Sequence, residues 1–257
     1  MKIMKERFAL LKVLNAFAFV AMVAINVLAQ VMPLGGMTTA EISALYPIYL
    51  TPIGLSFSIW SLIYIAMGWF VIQQFISKDN NATQKVGGLF AATCALNIGW
   101  IISWHYQIML LAVISIIALW MLLLLIDSRM KGEKWYLRGG FAIYYAWITA
   151  ATAIQIVVYI SKMIPIVNGS IVSIAVTVAA IMILTGFGLE KVLREKDNFF
   201  GLTIAWALLG ILLKQITGGA ATFNPIVEAF SGFAFLLIIA AAIWLRPRLK
   251  NVQEILE

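Results

Sequence analysis

The segment Tyr46–Gly68, with the sequence YPIYLTPIGLSFSIWSLIYIAMG, decides the fold of this chain. Pro47 and Pro52 predict a bent, non-helical approach, because proline lacks an N–H donor and also restricts the residue before it. A long apolar run follows the second proline and predicts a membrane helix. Four of its residues stand at i, i+4, i+7 and i+8 and so share one helical face. They are Trp60, Tyr64, Met67 and Gly68.

The composition indicates an all-α polytopic membrane protein. The 257 residues are 63% hydrophobic and only 11% charged, far from the soluble norm. The net charge of +7 does not indicate nucleic acid as a partner, because the basic residues are spread over short loops. One cysteine, Cys94, excludes an intrachain disulfide, and a single histidine excludes a histidine-rich metal site. The chain also lacks the short motifs of hydrolases and phosphate-binding loops, and we expect no cofactor and no metal.

Apolar runs predict about eight transmembrane helices. For the first run, a cleaved signal peptide ending near Ala29 is the alternative. The predicted spans are residues 8–31, 53–76, 86–104, 107–126, 138–160, a sixth that ends near 187, 199–217 and 224–244.

The longest connection between spans, residues 32–51, is predicted to act as a lid. Thr38 and Glu41 have the spacing of a capping box, which predicts a short helix near residues 39–46. A plain interfacial loop is the alternative.

Lysine and arginine predict the orientation in the membrane. Sixteen of the eighteen lie in the N-terminal segment, the connections 77–85, 127–138 and 188–198, and the tail. Both termini are therefore predicted to be cytoplasmic, with residues 32–51 outside.

Aromatic and amide side chains form one stripe on each of several spans. Asn97 and Trp100 share a face of the third span, and Asn26 and Gln30 lie in the outer part of the first. Residues of the fifth span that share a face are Tyr144, Trp147, Ala151 and Gln155. Interhelical hydrogen bonding with an aromatic belt is the alternative explanation. Convergent aromatics with a few amides suit a flat, largely apolar ligand in the outer half of the bundle.

These motifs resemble the TspO/translocator-protein family, known in bacteria as tryptophan-rich sensory proteins. The second span of that family reads roughly F-x-P-V-W-T-x-L-Y-x-x-M-G, and here Trp60 and Tyr64 keep that spacing while Ser58 replaces the proline. The N-x-x-W of its third span is matched by Asn97 and Trp100. The fifth-span pattern Y-x-x-W-V-x-F-A-x-x-L-N is matched by Tyr144, Trp147 and Ala151, with Ala150 and Gln155 as departures. The stretch after Pro52 also resembles longer bacterial members.

The resemblance covers residues 8–160 and implies a five-helix bundle with an outer loop over a pocket. Residues 1–160 would form this TspO-like domain, and residues 161–257 would add three helices and a short cytoplasmic tail. The pocket residues that it implies are Trp60, Tyr64, Asn97, Trp100, Tyr144, Trp147 and Ala151. The family's outer-loop L-x-K-P reads Leu50-Thr51-Pro52 here and lacks the lysine.

The resemblance also implies a function. The expected partners are a tetrapyrrole such as a porphyrin, or another apolar small molecule, and the lipid bilayer of a bacterial inner membrane, with a homodimer left open. Binding would serve sensing, transport or photo-oxidative turnover. Catalysis is not expected, although porphyrin degradation by some members leaves a role for Trp60 and Trp147 open.

A secondary transporter is the alternative function. Lys214 and Glu228 lie within the seventh and eighth spans, and intramembrane charges are costly and usually functional. Each lies about one turn from the outer end of its span, so the two are predicted to form an intramembrane ion pair. A retinal-type Schiff base on Lys214 is disfavoured by the eight predicted spans and by the position of Lys214 near the outer end of its span.

Overall fold

Each long apolar run of the sequence forms a helix, since an α-helix satisfies its backbone hydrogen bonds internally and can therefore cross a bilayer. The structure, a computed structural model, describes residues 2–77, 81–164, 169–219 and 223–244. Within these ranges, seven helices are long and apolar enough to span a membrane, and an eighth apolar helix is shorter, with 17 residues. The prediction of an all-α polytopic membrane protein is confirmed.

The helices of the described residues are numbered in chain order. They are α1 (Lys2–Val31), α2 (Thr39–Ala44), α3 (Ile59–Ile76), α4 (Asn81–Val86), α5 (Leu89–His105), α6 (Met109–Arg129), α7 (Trp135–Met163), α8 (Ile171–Glu195), α9 (Asn198–Thr217) and α10 (Pro225–Trp244). Two short 3-10 segments, Leu34–Gly36 and Gly54–Ser58, lie in the connection between α1 and α3.

Helix α7 is the centre of the bundle. Every residue from Gly139 to Ala150 is buried, as expected of a helix that is surrounded by others. It packs against α3, α6, α8 and α9. One hydrophobic core therefore includes residues from both sides of position 160. The division into two domains at that position stays a prediction.

The charged connections meet at one end of the bundle. Lys85 pairs with Glu133 at 2.6 Å, and Lys131 pairs with Glu195 at 3.3 Å. The connections 77–85, 127–138 and 188–198 therefore lie at the same end, as the lysine and arginine distribution predicts. That this end is cytoplasmic stays a prediction.

Helix α8 is longer than the sequence predicts. The sixth span was expected to end near 187, with residues 188–198 as a charged loop, but α8 continues to Glu195. Its extension carries Lys191, 5% exposed, which forms an ion pair with Asp127 and a second with Glu195 at 3.1 Å. The prediction was wrong because hydropathy treats these charges as solvated, whereas they neutralise each other inside the bundle.

The connection between α1 and α3 is structured. Thr38 and Glu41 form the capping box that their spacing predicts, at the start of α2. Regular α-helix begins at Ile59 rather than at 53, so Trp60 lies in the first turn of α3. A contact with α9 explains this later start of the helix, because the Ile53 N–H donates to the Gly210 carbonyl at 3.0 Å.

Candidate ligand-binding site

A cavity of about 440 Å³ lies where α1, α3 and α5 meet the connection 32–58. This volume is within the range of roughly 300–1,000 Å³ that small-molecule sites occupy. We call it the ring cavity. Its lining residues are Asn26, Val27, Gln30, Val31, Thr39, Gly54, Phe57, Trp60, Ser61, Tyr64, Trp100 and Ile101.

Trp60 is at the centre of the aromatic cluster. Its ring lies 5.6 Å from that of Tyr64 and 6.3 Å from that of Trp100, with interplanar angles of 25° and 26°. Tyr144 contacts Trp60 at 6.0 Å with an angle of 65°. The wall thus presents three rings, with those of Tyr64 and Trp100 each inclined by about 25° to Trp60, and the Tyr144 ring crosses Trp60 from behind the wall.

The close approach of α7 to α3 puts Tyr144 beside Trp60. A Cβ on Gly140 would lie 2.9 Å from the Ala66 Cβ, so glycine allows the two helices to touch at this level. Tyr144 follows Gly140 by one turn and lies on the same face of α7. Any larger residue at position 140 would move the Tyr144 ring away from Trp60.

A chain of buried amides fixes the helices behind the rings. The Asn26 side chain donates to the Asn97 carbonyl oxygen at 2.7 Å, and Asn97 lies within 3.2 Å of the Tyr144 hydroxyl. The Trp100 indole donates to Gln155 at 3.2 Å. Asn97 is fully buried. These groups satisfy one another and leave few amides for a ligand.

Thr39 ties the connection to the helices below it. The Gln30 amide donates to the Thr39 hydroxyl at 2.6 Å, and the His105 Nε2 lies 3.4 Å from the same oxygen. Nearby, hydrogen bonds from the Thr38 backbone and hydroxyl lower the pKa of the Glu41 carboxyl. Glu41 is therefore ionised near neutral pH and keeps its part in the capping box, which holds α2 over the cavity.

The structure brings some predicted residues to the cavity wall and places others behind it. Trp60, Tyr64 and Trp100 line the cavity. Asn97 and Tyr144 are buried one layer back, where they bond each other.

The remaining two predicted residues lie on α7. Trp147, 2% exposed, packs edge-on against Phe57 at 5.8 Å. Ala151 is half-buried one turn further along α7 and is not among the lining residues. Phe57 was not predicted, because it stands three residues before Trp60 in the 3-10 segment, where α-helical spacing does not apply.

The sequence model of the family described as TSPO-like protein matches residues 12–244. The chain belongs to the TSPO-like protein family. The match extends beyond residue 160 and includes α8, α9 and α10, so the family description covers the helices that the motif resemblance left out. Searches of curated proteins and of solved structures found no match.

The charges in the last two helices of this TSPO-like protein are not arranged as predicted. Within the described residues, the ion pairs do not include one between Lys214 and Glu228. Both side chains are half-buried near the end of the bundle that carries the ring cavity. The charges that do pair inside the bundle, Lys191 and Asp127, lie at the opposite end.

A larger apolar cavity, of about 530 Å³, lies between α6, α7 and α8 of the TSPO-like bundle. Ile183 in its wall is 59% exposed, so this cavity lies on the outer surface of the bundle. Its Trp120 indole donates to Thr149 at 3.0 Å. The wall lacks the stacked rings and convergent polar groups that mark a specific site. This cavity is suited to the acyl chains of lipids.

Proposed function

We propose that this TSPO-like membrane protein binds a flat, largely apolar ligand of the tetrapyrrole class in the ring cavity. The observation that carries the proposal is the stacking of Tyr64 and Trp100 against Trp60 at a cavity closed by Gly54 and Phe57.

The chemistry of the wall favours a ring system. Aromatic side chains gain about 0.5–1.5 kcal/mol from offset stacking beyond the area that they bury. Within the described residues, no charged side chain lines the cavity. The Ser61 and Tyr64 hydroxyls form no hydrogen bond in the described part of the chain, so they are available to a ligand. A ligand with an apolar, planar ring system and a few polar atoms at its edge would stack on the aromatic wall and bond to these hydroxyls.

The position of the cavity suits a ligand that arrives from the membrane. Val27 and Val31 form part of the α1 wall and are 50% and 73% exposed. They belong to the surface that α1 presents to lipid, so the cavity opens sideways between α1 and α3. An apolar molecule dissolved in the bilayer can therefore enter without crossing water.

The geometry supports binding more strongly than turnover. Photo-oxidative turnover by family resemblance would involve Trp60 and Trp147, but Phe57 lies between the ring cavity and Trp147. Transport with Lys214 and Glu228 as a coupled pair has less support, because that pair is not formed. Sensing and transport both begin with the bound state that we propose.

Absorbance titration of the purified protein with protoporphyrin tests the proposal. Trp60→Ala and Trp100→Ala should each weaken binding by about tenfold, because each removes ring contacts and apolar area. Trp69→Ala is the matched control, since Trp69 is on the same helix but 43% exposed and outside the cavity. Equal affinity in the Trp60 variant and the Trp69 variant, with both folded, would refute the site.

A further inference from the structure

A second cavity, of about 310 Å³, adjoins the ring cavity on the α9 side of the connection 32–58. The two cavities share Gly54 and Phe57 as a common wall. The second cavity is also lined by Tyr49, Thr51 and Lys214. We call it the lysine cavity.

Lys214 brings an uncompensated positive charge to this cavity. It lies in the last turn of α9, and no residue of the described chain forms an ion pair or hydrogen bond with its ammonium group. The described residues that line the cavity include no carboxylate. A lysine near a helix C-terminus gains from the helix dipole, but the dipole offers a small partial charge and not a counter-ion.

Thr51 adds a buried donor without a partner. The residue is 9% exposed, and its hydroxyl is buried with no hydrogen-bond partner among the described residues. A buried hydroxyl without a partner costs free energy, so such a group needs an explanation in a native structure. Thr51 lines the lysine cavity while its hydroxyl is turned away from open space, and a rotation about χ1 would turn that hydroxyl toward a ligand in the cavity.

Two neighbouring polar side chains, Gln215 and Tyr46, are already hydrogen-bonded. The Gln215 amide lies 3.5 Å from the Tyr49 carbonyl oxygen and its own carbonyl accepts from the Asn224 N–H at 3.0 Å. The Tyr46 hydroxyl donates to Gln107 at 3.2 Å. What the described residues of the cavity leave unused is the Lys214 ammonium group and the hydroxyls of Ser43, Tyr49 and Thr51, and this set of donors suits an acceptor with negative charge.

We propose that the lysine cavity binds the carboxylate of a small amphipathic acid. The carboxylate accepts from Lys214 and Thr51, and the apolar part of the acid lies against Phe57 and Tyr49. This site is separate from the tetrapyrrole proposal, and its test needs no tetrapyrrole. Because Gly54 and Phe57 belong to both walls, the acid contacts the segment that closes the ring cavity.

Benzoate is the probe, and benzamide is its neutral counterpart of the same shape. Calorimetry on the detergent-purified protein should show saturable binding of benzoate, with benzamide at least about tenfold weaker. Lys214→Met should abolish the preference for benzoate, whereas Lys214→Arg should keep it. Thr51→Val should weaken benzoate several-fold. Lys162→Met is the matched control, because Lys162 is an exposed lysine near the corresponding end of α7, outside the cavity.

Several results would overturn the proposal. One is the absence of saturable benzoate binding to the folded wild type. Another is undiminished binding in a Lys214→Met protein whose melting temperature is unchanged. A third is binding of an anionic lipid in place of the free acid, since a lipid headgroup would present a phosphate to the same donors. If nanodiscs of phosphatidylglycerol block benzoate and nanodiscs of phosphatidylcholine do not, the cavity holds an anionic lipid instead.

Discussion

Gly210→Ala tests whether α9 holds the segment that closes the ring cavity. The Ile53 N–H donates to the Gly210 carbonyl at 3.0 Å, and the Trp206 indole donates to the Ser56 carbonyl at 3.0 Å. A Cβ at position 210 would lie 1.9 Å from the Ser56 Oγ and 2.9 Å from the Pro52 Cβ. The alanine therefore pushes the whole 52–58 segment away from α9.

The size of the effect follows from these distances. Ordinary contact begins near 3.4 Å, so the Ser56 Oγ has to rotate away, and the Ser56 Cβ at 3.0 Å and the Pro52 Cβ at 2.9 Å have to move by about 0.4–0.5 Å. Overpacking of this kind costs about 1–3 kcal/mol, and the better helix propensity of alanine offsets about 0.5–1 kcal/mol. We expect a net loss of about 1–2 kcal/mol in the free energy of unfolding. Because Gly54 and Phe57 move with the segment, protoporphyrin affinity should also fall by about tenfold.

The assay is an unfolding titration in mixed detergent, followed by protoporphyrin binding to the same preparations. Gly186→Ala is the matched control, since it is in the interior of α8 and a Cβ there meets nothing within 4 Å. That variant should bind the ligand as the wild type does and be equally stable or slightly more so. If Gly210→Ala behaves like Gly186→Ala in both measurements, α9 does not hold the closing segment.

Three further predictions concern the buried polar groups and the orientation. Lys191→Met should lower the free energy of unfolding by about 3–5 kcal/mol because it leaves Asp127 uncompensated, and adding Asp127→Asn should recover part of that loss in the same titration. Costs that simply add in the double variant would show that the two charges do not interact. Asn97→Ala should lower the free energy of unfolding by about 1–3 kcal/mol, more than Tyr144→Phe does, because it removes the hydrogen-bond partner of two buried side chains rather than one. Equal melting temperatures of the two variants would contradict this prediction. A cysteine at Leu45, in a chain otherwise free of cysteine, should react with an impermeant maleimide on intact cells, whereas labelling only after permeabilisation would reverse the orientation.

Much of the fold follows from hydropathy, but the helix ends do not. Within the described residues, the apolar runs predict the seven helices of spanning length and the shorter α5, because a bilayer demands about twenty apolar residues per crossing. The end of α8 was not predicted, because a hydropathy profile treats Lys191 as a solvent-exposed residue. Its burial depends on Asp127, which is 64 residues away and becomes a neighbour only after folding.

The site was partly accessible from the sequence. Residues on one regular helix, such as Trp60 and Tyr64, could be placed together because the α-helical repeat fixes their common face. Phe57 could not, since the 3-10 segment that carries it is determined by contacts with α9. Trp147 shares the predicted face of α7, but Phe57 covers it. Helical periodicity thus predicts which residues point inward, and packing decides which of them remain at the cavity wall.

Fluorine NMR of the protein labelled with 5-fluorotryptophan locates a bound tetrapyrrole, because it reports on each of the nine tryptophans separately. Resonances are assigned by single tryptophan-to-phenylalanine variants, and the protein is titrated with protoporphyrin. We expect large shifts at Trp60 and Trp100, with little change at the exposed Trp135 and Trp244. Unshifted Trp60 and Trp100 signals, together with a shifted signal from Trp120 in the cavity between α6, α7 and α8, would contradict binding in the ring cavity and place the ligand on the lipid-facing surface.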